Sequence, residues 1–390
     1  MKAKKRESFN DFISDINSDT SAIEVWGKIR AIKGYKYPVS VPFQHLGNLV
    51  VDSTDKANLN ASNLQTQDTA EHFTLQDYTK IVNGAANQPD QNLDMDITIC
   101  ELKNALNQTK NSSPGGDEIS YSMLKSLKSE ETEELLGIMN QCWQTGSIPK
   151  SWKSGTVIPI HKPQKPKDQA SSYRPITLLS CISKTLERII KNRLEQKVEL
   201  DKLLLQSQCG FRRGQGTIDA LMRLENEIRS AQSCHKICLV TYVDLASAFD
   251  SVWRKGLVAK LIGVGFHGKI VRWLDNYFQD RNIKVYHDGV YSDSFSLEAG
   301  TPQGAVLSPI LFNLMLSDIP KEENVSLYIY ADDITISYSD ANADMAKSNM
   351  QQYLNKFTEW CKVWGLTVNP LKTTMPVSYT HLTLPTKRIV

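Results

Sequence analysis

Two short runs of β-branched and aromatic residues, Val325–Tyr330 and Ile334–Ser339, are separated only by Ala331, Asp332 and Asp333. Such runs around so brief a break predict a tight β-hairpin, with both carboxylates at its turn. Adjacent acids in a turn are ordinarily just solvated. The pair gains chemical meaning only through what else the fold brings to it. A second acid-bearing strand is the first such element. Ile237–Val243 is a continuous apolar run, which predicts a buried strand, and it ends on Asp244.

If folding joins Asp244 to Asp332 and Asp333, their charge must be balanced. Two unit charges about 4 Å apart repel by about 4 kcal/mol at an effective dielectric near 20. That is enough to protonate one partner unless a cation lies between them. Oxygen ligands without His or Cys select Mg²⁺, with Mn²⁺ as an alternative, over zinc. Two such ions roughly 3.5–4 Å apart form the clamp used for in-line phosphoryl transfer.

Charge is unevenly spread. The net charge of +2 hides a block from Lys150 to Arg213 with 14 basic against 5 acidic residues, while Ala85 to Gln144 has 4 basic against 10 acidic. The basic block is therefore a candidate nucleic-acid surface. Within it, Lys162 and Arg174 sit at the two ends of a proline-broken connection, where their cations can converge on phosphate. The seven cysteines lack regular spacing, which argues for a reducing compartment, and Cys234, His235 and Cys238 fit no closed four-ligand zinc site. No run reaches the roughly 18 apolar residues of a membrane span, and MKAKKRESFN lacks the apolar segment of a secretory signal. The expectation is an intracellular protein with no membrane partner, in nucleus or cytoplasm.

In chain order, residues 1–90 are rich in Asn, Gln, Asp and Ser and read as a weakly structured linker or adaptor, with one amphipathic piece at Ile23–Ile32. A helix capped by Asp94 or Asp96 is expected through Gln108, then two more ending at Pro149. A strand over Gly155–Ile160 and a long helix over Ser183–Leu200 follow, then the glycine-kinked Gln208–Arg212. Asp250 is placed to cap a helix running Val252–Ile262. Asp288-Gly289 turns a hairpin, Gly300–Gly304 breaks the chain, and an apolar helix over Val306–Leu316 leads to the acidic hairpin. From Asp340 to Trp364, Met345, Met350, Leu354, Phe357, Trp360 and Trp364 recur at helical spacing and predict a core face.

Six segments occur in a fixed order: YRPITLL from Tyr173, QCGFR from Gln208, VDLASAFD from Val243, GTPQGAVLSP from Gly300, YADD from Tyr330 and GLTVNPLKT from Gly365. Over roughly Lys110 to Met375 the chain resembles the reverse transcriptases of non-LTR retrotransposons, LINE-like elements of the jockey and related clades. The resemblance implies an α+β fold: a right-hand polymerase palm, an antiparallel sheet backed by helices, with a mostly helical fingers subdomain. The corresponding organisation is 1–90 adaptor, 91–236 helical N-terminal extension and fingers, and 237–376 palm. Also implied is RNA-directed DNA polymerase activity through two Mg²⁺ ions, with an RNA template, a DNA primer and deoxynucleotides as partners and the element's own RNA in a ribonucleoprotein. Asp244, Asp332 and Asp333 match the metal-binding acids, and the Leu245 carbonyl completes a metal shell. Phe249 matches the steric gate that rejects a ribose 2′-hydroxyl. Gln303 and Gly304 match the loop along the incoming nucleotide. Lys162 and Arg174, with Arg212 as a weaker candidate, match triphosphate contacts, and Lys372 matches a lysine that protonates pyrophosphate.

Two departures accompany the resemblance. The chain is expected to stop before the thumb and to lack a preceding endonuclease, making processive synthesis doubtful for this stretch alone. The last residues, 377–390, read as a translated sequencing adapter and are set outside the fold. Two other readings stay open: an RNA-templated RNA polymerase, against which Phe249 argues, and an inactive RNA-binding scaffold, against which retention of all three acids argues.

Overall fold

The computed structural model describes residues 41–64, 74–378 and 386–388; the Ile23–Ile32 piece lies outside the described residues. Within the stretch expected to be a weakly structured linker, a hairpin of β1 (Phe43–His45) and β2 (Asn48–Val50) precedes helices α1 (Ser53–Ser62) and α2 (Leu75–Ala86). Composition misleads here. The buried face of α1 consists of Lys56, Ala57, Asn60 and Ala61, which gives no apolar period to detect. Its start is nonetheless marked, since Asp52 accepts from the N–H groups of Thr54 and Asp55.

Helices α3 (Ile99–Asn107), α4 (Tyr121–Lys125), α5 (Ser129–Thr145) and α6 (Lys150–Lys153) follow, then strands β3 (Ser154–His161) and β4 (Tyr173–Leu178) and helices α7 (Cys181–Leu200) and α8 (Thr217–Ser233). The cap of α3 is Thr98, not Asp94 or Asp96. Its hydroxyl accepts from the Glu101 N–H while Glu101 accepts from the Thr98 N–H, so two orphan donors are satisfied reciprocally. Strands β3 and β4 pair antiparallel with Ile160 opposite Arg174. The intervening connection closes where the Lys162 N–H donates to the Ser172 carbonyl at 2.8 Å. This brings Lys162 and Arg174 together at one end of the ladder.

The remaining elements are β5 (Ile237–Asp244), α9 (Arg254–Gly263), α10 (Lys269–Phe278), β6 (Asn282–His287), β7 (Val290–Tyr291), β8 (Phe295–Ser296), α11 (Ser308–Met315), β9 (Val325–Tyr330), β10 (Asp333–Asp340), α12 (Ala343–Val363), β11 (Thr374–Ser378) and β12 (Thr386–Arg388). Two five-stranded sheets result. One runs β4-β3-β6-β7 with β8 also on β6, and its β3–β6 pair is parallel. The other runs β12-β11-β5-β10-β9 and is antiparallel throughout. The class is α+β, as expected.

Strand β5 is central and covered on both faces. Leu239 and Val243 join the main core with Met350, Tyr353 and Phe357 of α12, whereas Cys238 and Val240 meet Leu224 and Ala231 of α8. That alternation is the period of two of a strand. The buried face of α12 is Ala346, Met350, Tyr353, Phe357 and Cys361. The expected row was partly misassigned, since Met345 is half exposed. Strand β11 carries its backbone pairing to Val377 and Ser378, beyond the expected end of the fold, and β12 pairs with it. No helix among the described residues is long and apolar enough to cross a membrane.

One buried acid ties these layers together. Glu187 of α7 is fully buried, and its Oε2 accepts from the N–H groups of Val306 at 2.8 Å and Leu307 at 3.4 Å. No side chain of α11's own segment caps that helix. The cap therefore comes from another helix, and burial pushes its carboxyl above the ordinary range against the pull of Arg281 and these N–H groups. It anchors the downstream end of the Gly300–Gly304 loop.

Candidate active site

The hairpin turn is tighter than its sequence suggests. Tyr330 pairs with Asp333, so only Ala331 and Asp332 form the loop, with Ala331 at φ +59°. Asp333 is therefore the first residue of β10, not a turn residue, and it stands directly opposite Asp244 across the ladder. Directly opposed residues share a sheet face. The turn is held by the Gln208–Arg212 segment: Cys209 N–H donates to the Ile329 carbonyl at 2.8 Å, and the Ile329 N–H donates to Ser207 at 3.1 Å. Gly210 passes so close that a Cβ there would lie 2.2 Å from the Ala331 nitrogen. A side chain at 210 would displace the turn carrying Asp332.

Asp244 is fixed by the segment after α12. The Asn369 N–H donates to the Asp244 carbonyl at 2.8 Å, and the Ala246 N–H donates to Thr367 at 2.8 Å. This brings Lys372 Nζ to 3.3 Å from Asp244 Oδ1 and 3.2 Å from Oδ2. Oδ2 is buried and its close partner is that ammonium, so the carboxylate is already balanced by a cation that a metal ion could displace. Partial burial, then the charges of Asp332 and Asp244, push the Asp333 carboxyl above its ordinary range, against the pull of Lys372. Among the described residues no three His, Cys, Asp or Glu side chains form a metal cage. Mg²⁺ in phosphate chemistry rarely uses one; it takes one or two carboxylates and completes its shell with waters and substrate phosphates. The oxygen-only donors of Asp244, Asp332 and Asp333 fit that ion.

A cleft of about 700 Å³ adjoins these acids. Asp244, Leu245, Asp332 and Lys372 line it together with Lys162, Arg174, Phe249, Gln303 and Gly304. The fold thus gathers nine of the eleven expected residues in one place. Burial, followed by the positive charges of Lys372 and Arg174, lowers the Lys162 pKa, so three cations converge where an anion would be held. Phe249 is wedge-like: its ring lies 4.6 Å from that of Phe312 in the core and 6.4 Å, edge-on, from that of Phe211. Gly304 adopts φ +121°, and a Cβ there would lie 2.5 Å from the Thr177 carbonyl oxygen. Only glycine fits.

The cleft lining does not include Asp333 or Arg212. The Arg212 guanidinium makes a two-pronged contact with Glu199, at 2.7 and 2.8 Å, and also donates to the Leu205 carbonyl. In this structure the guanidinium is thus engaged by groups of the chain itself. Much of the basic block is spent similarly. Arg193 pairs with Glu101 and donates to three carbonyls, Lys197 pairs with Asp90 and Asp201, and Lys191 pairs with Glu195. Phe211, Asn369 and Asp250 also line the cleft, among other residues that the sequence does not mark as site residues. Asp250 does not cap α9, whose N-cap is Trp253. Its Oδ2 accepts from Gln303 Nε2 at 2.8 Å, and burial pushes its pKa up to about 6.

The family description of reverse transcriptase (RNA-dependent DNA polymerase) matches residues 160–383, more than half the chain. The chain belongs to the reverse transcriptase family. All eleven expected site residues fall inside the matched part of this reverse transcriptase domain. It is similar to a probable RNA-directed DNA polymerase from transposon BS of Drosophila melanogaster, 33% identical over 341 residues, covering 85% of this chain and 38% of that protein. It is similar also to the RNA-directed DNA polymerase from mobile element jockey of the same species, 29% identical over 381 residues, covering 95% of this chain and 42% of the relative. A probable RNA-directed DNA polymerase from transposon X-element of that fly is 32% identical over 306 residues, covering 75% of this chain and 33% of the relative. The chain thus spans about two fifths of the length of the first two relatives. The likeness to jockey-like reverse transcriptases drawn from the six motifs holds, and reverse transcriptase domains generally depend on divalent metal.

Proposed function

We propose that the chain is the fingers, near residues 91–236, and the palm, near 237–376, of an RNA-directed DNA polymerase of a non-LTR retrotransposon. It adds deoxynucleotides to a primer 3′-hydroxyl on an RNA template, which in the cell is the element's own RNA. The observation that carries this reading is the single cleft in which Asp244 and Asp332 meet Lys162, Arg174 and the ring of Phe249. Asp244 and Asp332, with Asp333 and the Leu245 carbonyl, are the groups to hold two Mg²⁺ or Mn²⁺ ions. When bound, such ions activate the attacking hydroxyl and neutralise the leaving pyrophosphate.

The chain's own residues do the rest. Lys162 and Arg174 grip the triphosphate, and Phe249 closes the space a 2′-hydroxyl would need. Lys372, resting on Asp244, moves to the phosphate oxygens when these arrive and gives its proton to the departing pyrophosphate. Gln303 and Gly304 bring side-chain amide and backbone against the nucleotide.

The test is extension of oligo(dT) on poly(rA) with Mg²⁺ by a full-length polymerase carrying these residues. No incorporation of dTTP by the parent would overturn the reading. Lys162→Ala and Arg174→Ala should each raise the KM for dTTP by about 10–100-fold, the loss expected for a hydrogen bond to a charged group. Template–primer Kd should stay within about 2-fold. Comparable losses in both would make these residues general electrostatic contacts.

A further inference from the structure

The segment carrying Phe249 and the loop carrying Gln303 are laced together. The Thr301 N–H donates to the Phe249 carbonyl at 2.8 Å and the Gly300 N–H to the Val252 carbonyl at 2.8 Å. Between these two bonds the partly buried side chain of Asp250 accepts from Gln303 Nε2 at 2.8 Å. Gln303 is held from its other side as well, because its carbonyl accepts from the Thr177 N–H at 2.7 Å, three residues along β4 from Arg174. Asp250 thus sits at the junction of the gate, the Gln303 loop and the strand bearing a triphosphate contact.

A carboxylate has only acceptors to offer. Burial raises the Asp250 pKa to about 6, with the Gln303 hydrogen bond and the Lys162 charge acting the other way, so near neutral pH the group is predominantly ionised. It therefore takes the NH₂ end of the Gln303 amide and dictates which way round that amide stands. An amide free to flip would present a donor or an acceptor to the cleft interchangeably.

Building on the polymerase reading above, we infer that Asp250 is a positioning residue for nucleotide selection: it fixes the orientation of the Gln303 amide and steadies the backbone of Phe249 beside it. Asp250 touches no reacting atom in this role and acts through Gln303. A merely structural acid would weaken the fold without respect to what Gln303 does.

The experiment is a double-mutant cycle in the full-length polymerase, with Asp250→Ala, Gln303→Ala and the double variant, reading KM and kcat for dTTP and the ratio of dTTP to UTP incorporation. Asp250→Ala is expected to raise KM by about 10-fold with kcat within about 3-fold, and to narrow the dTTP/UTP ratio. The double variant should be no worse than Gln303→Ala alone. Asp250→Asn, which keeps the shape and one acceptor but permits the flipped amide, should fall between the parent and Asp250→Ala and guards against a folding failure in the alanine variant. Additive losses in the double variant, or an Asp250→Asn enzyme with the parent's KM and sugar ratio, would overturn the inference while leaving the polymerase reading intact. A parent that incorporates no deoxynucleotide would overturn both.

Discussion

Asp332→Asn is expected to lower deoxynucleotide incorporation by a full-length polymerase by about 10³-fold, roughly 4 kcal/mol of transition-state stabilisation. The substitution keeps the side chain's size but removes the charge that would hold a divalent ion. Asp332 is exposed at the tip of a two-residue loop, and exposed substitutions of this kind usually change stability by less than about 0.5 kcal/mol. The melting temperature should therefore stay near that of the parent, and so should template–primer affinity, because the acid contributes nothing attractive to a phosphate backbone. Primer extension, melting and filter binding on the same two proteins make the comparison. Equal extension by parent and variant would remove Asp332 from the chemistry.

Phe249→Ala is expected to raise UTP incorporation relative to dTTP by about 10–100-fold, the range available from one steric contact in a pocket. The ring lies against Phe312 on one side and reaches Phe211 on the other, so its removal opens the cleft directly beside Gln303. Some stability is lost too, since truncating a buried Phe costs about 3–5 kcal/mol and this one is only partly buried. The sugar ratio is the right measurement because a fall in the fraction of folded enzyme cancels from it. An unchanged ratio would make Phe249 a packing residue and nothing more.

What the sequence made legible follows from how local each signal is. The β9–β10 hairpin is written in adjacent residues, and so is its acid pair. That Asp333 belongs to the strand depends on the turn length, which Gly210 constrains from more than a hundred residues away, and its place opposite Asp244 depends on the pairing of β10 with β5, which no local signal specifies. Arg212 is expected as a weaker triphosphate contact only through the resemblance. Its partner, Glu199, lies at the end of the preceding long helix, and charge counting over a block cannot pair one with the other. Asp250 carried a strong local signal, an acid just ahead of a helix. The long-range hydrogen bond to Gln303 won because the chain turns at Ser247, where φ is +48° and its carbonyl accepts from the Asp250 and Ser251 N–H groups, aiming the carboxylate inward. Within the stretch expected to be weakly structured, α1 packs through Ala57, Ala61 and a lysine stem, small residues that leave little hydrophobic period to read, whereas α2 does carry such a period, with Tyr78, Val82, Ala85 and Ala86 on its buried face.

In the proposed mechanism the acids of β5 and of the hairpin act jointly on divalent ions. Mn²⁺ titration followed by electron paramagnetic resonance tests this most directly, with the polymerase bound to an RNA template, a DNA primer and a deoxynucleotide analogue that cannot react. The parent is predicted to immobilise two Mn²⁺ per complex, and Asp244→Asn fewer at the same concentrations. Equal occupancy in the two proteins would remove Asp244 from the metal site.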